Sequence, residues 1–379
     1  MAKKKVLNII SDTNVGGAGR ALLTYLKYMN RDEYEAAACV PAGSLLTERI
    51  KALGIPVIEV DVAPDKSYDH SAVKTLEKAI NEYGPDVVHT HGSLSGRIAA
   101  RRCGCAVVYT RHSVFPVSKR ISRGPGKIIN KLVNEHYADR IIAVSPAAVD
   151  NLTEGGISED RIDVVFNGVE RLRPSSDETK EKLRKEFNIA PGEFTASLLA
   201  RVISYKGQLD IIEAARTLKT RGYDFKILFA GTGDSAFMQE VQDRIDSLGL
   251  HDSVLMLGFR KDVPDILSIT DVQLNASYGT EATSLSLLEG FSLGIPAVAS
   301  DYGGNPYVVQ DGVNGLVFRT RDTDGLADAL EKLIKDRAML ASLGTRALEI
   351  YDKRFTAEVY ARNVESVYRK AMIVHGDIS

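Results

Sequence analysis

The sequence alternates short runs rich in valine and isoleucine with amphipathic segments. In the first half these runs include KVLNII (5–10), DVVHTH (86–91) and AVVYTR (106–111). Runs of this length and composition are typical of buried strands, and the segments between them have apolar residues at helical spacing. Strands that alternate with helices form parallel sheets, because each strand returns across a helix to lie beside an earlier one. The sequence therefore predicts an α/β fold.

A polar segment that contains a proline divides the chain into two such series. Residues 171–177 read RLRPSSD, and a second set of strand-like runs extends from 194–201 to 314–318. We therefore predict two Rossmann-like domains, 1–170 together with a C-terminal helix in 356–379, and 171–355. Because parallel sheets bind ligands at the carboxyl ends of their strands, a deep cleft between the two sets of loops is the expected site.

The charge of the chain is nearly balanced overall but unevenly distributed. The net charge is −2, which argues against nucleic acid as a partner. There is no acidic residue between Asp86 and Glu135, an interval that contains nine basic residues: Arg97, Arg101, Arg102, Arg111, Lys119, Arg120, Arg123, Lys127 and Lys131. This interval predicts either an anionic partner or a solvated helix face.

Cysteine content and hydropathy indicate the compartment. Three cysteines are too few for a disulfide framework and fit a reducing environment. The apolar run 6–10 is shorter than the core of a signal peptide, and no apolar stretch approaches the length of a membrane span. We therefore expect a cytoplasmic protein.

Two glycines, Gly16 and Gly17, follow the first predicted strand. Glycines there let the backbone approach a ligand at the start of a helix, although a tight turn would explain them equally well. A nicotinamide cofactor would require G-x-G-x-x-G and an acidic residue after the second strand, and the loop and residues 36–43 provide neither. An NAD(P)-dependent oxidoreductase is therefore disfavoured.

Two cations lie in the first loop of the second series. Arg201 ends a predicted strand and Lys206 precedes the next helix. A forked guanidinium and a point charge at the mouth of such a loop suit a diphosphate. The alternative is that both are solvated surface residues.

Two glutamates, Glu281 and Glu289, flank the start of a predicted helix. If that helix begins near Thr283, Glu289 lies about two turns inside it, among leucines. A carboxylate among apolar residues needs hydrogen-bond donors, and sugar hydroxyls are suitable. The segment from Ala282 to Leu285 supplies free N–H groups suited to phosphate. A capping residue and an exposed glutamate would be the structural alternative.

Histidines and a D-x-D sequence are the remaining candidates. His89 and His91 share one face of a strand, and His112 ends the next strand. We expect hydrogen-bonding and structural roles for them rather than metal binding. Asp322 and Asp324 precede a helix, so N-capping explains them better than a metal site does.

The sequence resembles the retaining glycosyltransferases of family 4, which have the GT-B fold. The resemblance covers essentially the whole chain and rests on E-x7-E followed by G-x-P (Glu281, Glu289, 294–296). Supporting motifs are the Gly-Gly loop, DVVHTH, TRHS, VFNGV, Arg201 with Lys206-Gly207, FAGTGD, LGF, Gly303-Gly304 and DGVNGLVF.

The resemblance implies roles for individual residues. Arg201 and Lys206 would bind the donor diphosphate, Glu289 the ribose, and His112 the donor sugar. Glu281 and the segment Ala282, Thr283, Ser284 and Leu285 would contact the sugar and phosphate, and Gly258, Phe259 and Arg260 the base. Gly16, Gly17, Asn167 and Gly231 complete the implied donor-binding set.

The implied reaction is metal-independent transfer, with retention, of a hexose-type sugar from a nucleotide-diphosphate sugar to a hydroxyl of a glycan or lipid-linked acceptor, without a cofactor. The first domain would bind the acceptor, and the pathway would be cell-envelope polysaccharide or glycolipid synthesis. A UDP-sugar 2-epimerase and a non-catalytic sugar-nucleotide-binding subunit are the alternatives. Basic and apolar residues mixed within 114–131 predict peripheral contact with an anionic membrane on its inner face, or with a soluble anionic acceptor.

Overall fold

The computed structural model describes residues 2–63 and 66–376, which form two compact units. Within these ranges the first unit runs to Val169 and resumes at Phe355, and the second runs from Glu170 to Arg354. Both units are α/β structures built on parallel sheets. The predicted fold class of two Rossmann-like domains is confirmed.

The described part of the first unit has one sheet of seven parallel strands: β1 (Lys4–Ile10), β2 (Tyr34–Pro41), β3 (Val57–Val60), β4 (Val87–His91), β5 (Ala106–Arg111), β6 (Arg140–Ala143) and β7 (Ile162–Val164). Their spatial order is β3-β2-β1-β4-β5-β6-β7. Side chains alternate between the two faces, so that Val6 and Ile10 enter one core whereas Leu7 and Ile9 enter another. Both faces of the sheet are therefore buried, as in other doubly wound sheets.

The helices of the first unit connect these strands. They are α1 (Gly17–Tyr28), α2 (Thr47–Lys51), α3 (His70–Tyr83), α4 (Leu94–Arg102), α5 (Lys119–Ser122), α6 (Gly124–His136) and α7 (Pro146–Glu154). Helix α6 contains no buried residue, unlike α1, α3, α4 and α7.

The described part of the second unit has a sheet of six parallel strands in the order β10-β9-β8-β11-β12-β13. The strands are β8 (Phe194–Leu199), β9 (Phe225–Ala230), β10 (Val254–Gly258), β11 (Val272–Asn275), β12 (Ala297–Ser300) and β13 (Gly315–Phe318). The helices are α8 (Asp177–Glu186), α9 (Gln208–Thr220), α10 (Ser235–Ser247), α11 (Val263–Ser268), α12 (Leu285–Phe291), α13 (Asn305–Val308), α14 (Thr323–Lys335) and α15 (Arg337–Arg354).

The last helix, α16 (Ala357–His375), packs in the first unit, as predicted. The Thr356 side chain caps its N-terminus by accepting a hydrogen bond from Val359 N. The buried Tyr368 ring lies edge-on to Tyr25 of α1, with 5.7 Å between ring centroids. The segment after the second unit therefore completes the core of the first. No helix of the described ranges is long and apolar enough to span a bilayer.

Candidate active site

The strand orders locate the ligand-binding edge of each sheet. The direction of strand addition reverses between β1 and β4 in the first unit and between β8 and β11 in the second. Loops diverge at such a point, which leaves a crevice at the carboxyl ends of the strands. Gly16 and Gly17 follow β1, and Arg201 follows β8. These predicted site residues therefore lie at the reversal points of their own sheets.

Glu281 lies at the centre of a hydrogen-bonded cluster in the second unit. Its Oε2 accepts hydrogen bonds from Lys206 Nζ at 2.6 Å, Ser277 Oγ at 3.0 Å and Asn275 Nδ2 at 3.3 Å. The Glu281 side chain is only 7% exposed and that of Lys206 18%. An ammonium group and two neutral donors offset much of the cost of burying the carboxylate. The structure thus joins two predicted site residues in one ion pair.

Asn275 and Ser277 were missed by the sequence reasoning. Both come from the predicted strand DVQLNAS (271–277), and β11 ends at Asn275. Polar residues at the carboxyl end of an otherwise apolar strand were the available signal, because that edge binds ligands in parallel sheets.

The backbone on both sides of Glu281 is closely constrained. Thr280 has φ 49°, a left-handed conformation that is unfavourable for a β-branched residue and costs about 1–3 kcal/mol. Gly304 N donates a hydrogen bond to Glu281 O at 2.9 Å. A Cβ atom on Gly304 would lie 1.6 Å from Ala282 O, so only glycine allows this approach. The 303–304 segment therefore holds the Glu281 loop in place.

Arg201 and Lys206 differ in their surroundings although both lie between β8 and α9. Arg201 is exposed, with its Nη2 3.4 Å from Tyr205 Oη. Its carbonyl oxygen accepts a hydrogen bond from Gln208 Nε2 at 2.9 Å, which fixes the loop to the start of α9. Lys206 is largely buried by its pairing with Glu281. Arg201 is therefore the more accessible cation of the two.

The segment before α12 is buried, and the helix begins later than predicted. Ala282, Thr283 and Ser284 are at most 9% exposed, and α12 begins at Leu285 rather than near Thr283. Glu289, also 9% exposed, therefore lies about one turn inside the helix and not two. The later start arises because Ser284 has an extended conformation, with ψ 105°.

The ends of β9 and β10 meet at two of the predicted glycines. Gly231 N donates a hydrogen bond to Gly258 O at 2.8 Å. The next residue, Phe259, is 69% exposed. A large apolar ring exposed at a strand end can stack on a planar group.

Arg260 is engaged within the second unit. Its guanidinium forms ion pairs with Asp262 at 2.6 Å and with Glu186 of α8 at 3.1 Å. The hydrogen bond to Asp262 is the main cause of the raised pKa of Arg260. Its side chain thus links the loop after β10 to α8.

In the first unit, Gly16 precedes α1 and Gly17 begins it, without a side-chain cap. A Cβ atom on Gly17 would have no neighbour within 4 Å among the described residues, and one on Gly16 would lie 3.5 Å from Asp12 Oδ2. Packing does not require glycine at Gly17. Open space in front of a helix N-terminus is consistent with a ligand there.

Three histidines form a chain at the carboxyl ends of β4 and β5. His91 Nδ1 lies 2.8 Å from His112 Nε2, and His89 lies between Tyr368 Oη at 2.8 Å and Thr110 Oγ1 at 2.6 Å. Burial lowers the pKa of His112 to about 4 and that of His89 to about 3. These rings are therefore neutral at pH 7. His89 has a structural role, whereas His112 lies at the ligand-binding edge.

Asn167 is buried in the first unit, and its Oδ1 has no partner in the described part of the chain. The following Gly168 packs directly on the start of α16, since a Cβ atom there would lie 2.4 Å from Thr356 O. A buried acceptor without a donor is unfavourable unless a ligand or water supplies one.

Residues 2–63 and 66–376 contain no group of three or more histidine, cysteine or acidic side chains that could hold a metal ion. Asp322 Oδ1 accepts a hydrogen bond from Gly325 N at 2.9 Å and so caps α14, as predicted.

Comparison with known proteins identifies the class. A sequence model of the family Glycosyl transferases group 1 matches residues 179–349, and one of Glycosyltransferase Family 4 matches residues 15–171. Together the two models span most of the chain. The chain therefore belongs to the group 1, family 4 glycosyltransferases, and the predicted family is confirmed.

Individual relatives and structures agree with this assignment. The chain is 26% identical over 361 residues to UDP-Gal:alpha-D-GlcNAc-diphosphoundecaprenol alpha-1,3-galactosyltransferase of Escherichia coli, covering 89% of this chain and 90% of that one. It is 26% identical to N-acetyl-alpha-D-glucosaminyl L-malate synthase of Bacillus anthracis, with 79% of each chain covered. HepE of Anabaena, solved with UDP, has the same fold, with a TM-score of 0.84, 22% identity and coverage of 96% of this chain and 99% of that one.

Proposed function

We propose that this glycosyltransferase transfers a hexose-type sugar, with retention and without a metal ion, from a UDP-sugar to an acceptor hydroxyl. The proposed donor follows from similar proteins, since the Escherichia coli relative is named for UDP-Gal and HepE has been solved with UDP-glucose. Cell-envelope polysaccharide or glycolipid synthesis is the proposed context.

The observation that carries the proposal is the Lys206–Glu281 ion pair beside the exposed Arg201. An ammonium group has three protons, and one of those of Lys206 is directed at Glu281. The others are available to a diphosphate. Because Glu281 fixes the ammonium group before the donor binds, its charge needs little reorganisation when the diphosphate leaves. Arg201 supplies a second, forked contact.

Other predicted site residues account for binding of the remaining parts of the donor. The amides of residues 282–285 face a phosphate or the sugar, and Glu289 accepts hydrogen bonds from the ribose hydroxyls. Phe259, with its exposed ring, and the backbone at Gly258 contact the base. His112, neutral at pH 7, is a further proposed contact of the donor sugar.

The proposed reaction takes place on one face of the sugar. The bond between the anomeric carbon and the diphosphate oxygen breaks, and the acceptor oxygen bonds to the same face of that carbon. The proton of the acceptor hydroxyl passes to the leaving diphosphate. Arg201 and Lys206 stabilise the negative charge that develops on the leaving group.

We also propose that the α5–α6 segment contacts an anionic membrane surface. Ile128, Ile129 and Leu132 of α6 are each more than 60% exposed, and Ile121 of α5 is 40% exposed. The same segment contains five basic residues: Lys119, Arg120, Arg123, Lys127 and Lys131. Exposed apolar and basic side chains on one segment suit the headgroup region of a bilayer.

A ligand-binding panel tests the donor assignment. UDP-sugars should raise the melting temperature, because a ligand at 100 times its Kd stabilises by about 2.7 kcal/mol. Lys206→Ala should reduce this shift strongly, whereas Lys185→Ala, which removes an exposed lysine paired with Glu181, should not. No shift with any nucleotide sugar would refute the proposal.

The products distinguish transfer from epimerisation. With an acceptor, the product should have the anomeric configuration of the donor when analysed by NMR. Incubation of UDP-sugar without acceptor should give no sugar-nucleotide isomer, since isomer formation would indicate the 2-epimerase instead.

A further inference from the structure

The first unit contains a cavity of about 490 Å³ at the carboxyl ends of β4 and β5. Two arginines line it, Arg97 from α4 and Arg111 from the end of β5, together with asparagines of α6 and α7. Most of its lining residues belong to the interval 87–134, which lacks acidic residues, and none of them is a predicted donor-binding residue.

Arg97 is buried without a counter-ion. The residue is 5% exposed, and its Nη1 donates a hydrogen bond to Asn134 Oδ1 at 2.9 Å. Its guanidinium carbon lies 4.3 Å from the centroid of the Tyr109 ring. The Nε atom is buried and has no partner among the described residues. The Arg97 guanidinium group therefore contacts a neutral amide and an aromatic ring rather than a carboxylate.

Arg111, which lines the same cavity, has a similar arrangement. Its Nη2 donates a hydrogen bond to Asn151 Oδ1 at 3.1 Å, and its Nε is also buried without a partner in the described chain. Asn151 Nδ2 donates to Phe115 O at 2.6 Å, which orients the amide so that its oxygen faces Arg111. Neither arginine forms an ion pair with a carboxylate of the described residues.

Two guanidinium groups without a carboxylate partner among the described residues line one cavity, Arg97 buried and Arg111 half-buried with a buried Nε. Removing a charge from water is unfavourable unless an opposite charge compensates, and the cost is greatest at Arg97. Burial lowers the pKa of Arg97; Tyr109 opposes this effect and the nearby Arg111 charge adds to it. Because an anion between them would remove the penalty, the cavity has the electrostatics of an anion site. Two guanidinium forks match the tetrahedral oxygens of phosphate.

We propose that this arginine cavity binds a phosphate or pyrophosphate group carried by the acceptor. That the anion is carried by the acceptor rests on the proposed glycosyl transfer, whereas the existence of an anion site does not. Phe115 and Ile121, 51% and 40% exposed, line the same cavity. An apolar chain attached to the phosphate could therefore lie along exposed apolar side chains at the rim.

Calorimetric titration with inorganic pyrophosphate tests the site. The titration is done in the presence of saturating UDP, so that the donor site is occupied. The wild-type protein should bind one pyrophosphate, and Arg97→Gln and Arg111→Gln should each weaken binding roughly tenfold or more. Arg102→Gln removes an exposed arginine of the same interval that pairs with Glu77 outside the cavity, and should leave the affinity unchanged within about twofold.

Three outcomes would overturn the inference. The first is no pyrophosphate binding by the wild type. The second is an equal loss of affinity in Arg97→Gln and Arg102→Gln, and the third is a loss in Lys206→Ala as large as in Arg111→Gln. If Arg97→Gln fails to fold by circular dichroism, Arg97→Lys is used, which keeps the charge but loses the fork and should still weaken binding. If UDP does not bind but the Arg111 dependence persists, the donor proposal fails and the anion site stands.

The source of the phosphate is distinguished by two probes. Glycerol 3-phosphate represents a soluble acceptor, and a polyprenyl phosphate in phosphatidylcholine vesicles represents a lipid-linked one. Tighter binding to the second probe, lost in Arg111→Gln and absent for phosphatidylcholine alone, supports a lipid-linked phosphate. Equal affinity for the two probes supports a soluble phosphorylated acceptor. If the affinity for both probes is unchanged by Arg111→Gln, the site is wrong.

Discussion

The Lys206–Glu281 ion pair can be tested against an internal control. Lys206 Nζ and Glu281 Oε2 are 2.6 Å apart, and so are Arg346 Nη1 and Glu349 Oε2 on α15 of the same unit. The side chains of the first pair are 18% and 7% exposed, and those of the second 60% and 44%. The two pairs thus have equal N···O distances but differ strongly in burial.

We predict that Glu281→Gln lowers the free energy of unfolding by about 3 kcal/mol. Breaking a buried pair costs about 3–5 kcal/mol, because the remaining charge lacks a counter-ion. The lower end applies because Lys206 keeps some contact with water. Ser277 and Asn275 would also donate to a neutral oxygen in place of a carboxylate. Glu349→Gln should cost less than about 0.5 kcal/mol, as exposed pairs do.

Urea unfolding followed by circular dichroism measures both changes. Calorimetry should show the Glu281→Gln transition roughly 6–12 °C lower, as expected for a folding unit of this size. The double variant Lys206→Met with Glu281→Gln should be less destabilised than the sum of the single changes. Equal destabilisation by Glu281→Gln and Glu349→Gln would refute the role given to burial. Normal glycosyl transfer by a folded Glu281→Gln protein would remove Glu281 from the mechanism.

Four further predictions concern donor affinity, the metal dependence of transfer, the effect of pH on stability, and membrane binding. Glu289→Ala should weaken UDP-sugar binding, since each hydrogen bond to a charged group contributes about 1.5–3 kcal/mol, and unchanged affinity in calorimetry would exclude the ribose role. Transfer should persist in EDTA, and activity restored only by manganese or magnesium would show that a metal is required. The pKa of His89 is about 3 in the folded protein and about 6.5 in the unfolded chain. Between these two pH values, protons therefore bind preferentially to the unfolded chain. Stability should therefore fall with pH below 6.5, by about 1 kcal/mol between pH 7 and 5.5 from this residue, and a pH dependence identical in His89→Gln would contradict this. Sedimentation with anionic liposomes should fade with salt and drop when Lys119, Arg120 and Arg123 become serine, and no binding at low salt would exclude membrane contact.

Much of the fold could be predicted from local sequence. Strands such as β1, β4 and β5 were expected from apolar runs, and their parallel pairing from the helical segments between them. The order of the motifs was enough to predict the glycosyltransferase family. Helix α12 shows the limit of this reasoning, because its start at Leu285 depends on the extended backbone of Ser284 and not on periodicity.

The candidate site also has features that the sequence predicted and features that only the fold determined. Sequence alone predicted Arg201, Lys206 and Glu281 as site residues from their types and their places at strand and helix ends. It did not predict that Lys206 pairs with Glu281, 75 residues later, or that Arg260 is engaged by Asp262 and Glu186. These pairings require the loop paths of the folded unit.

The positive interval 87–134 shows most clearly what each level contributes. Its lack of acidic residues was visible in the sequence, and predicted either an anionic partner or a solvated face. The tertiary structure treats these cations differently, since it buries Arg97 and the Nε atom of Arg111 but leaves Arg120 exposed. Charge and periodicity are properties of the chain, but the burial of a charge depends on which strands and helices enclose it, and only folding decides that.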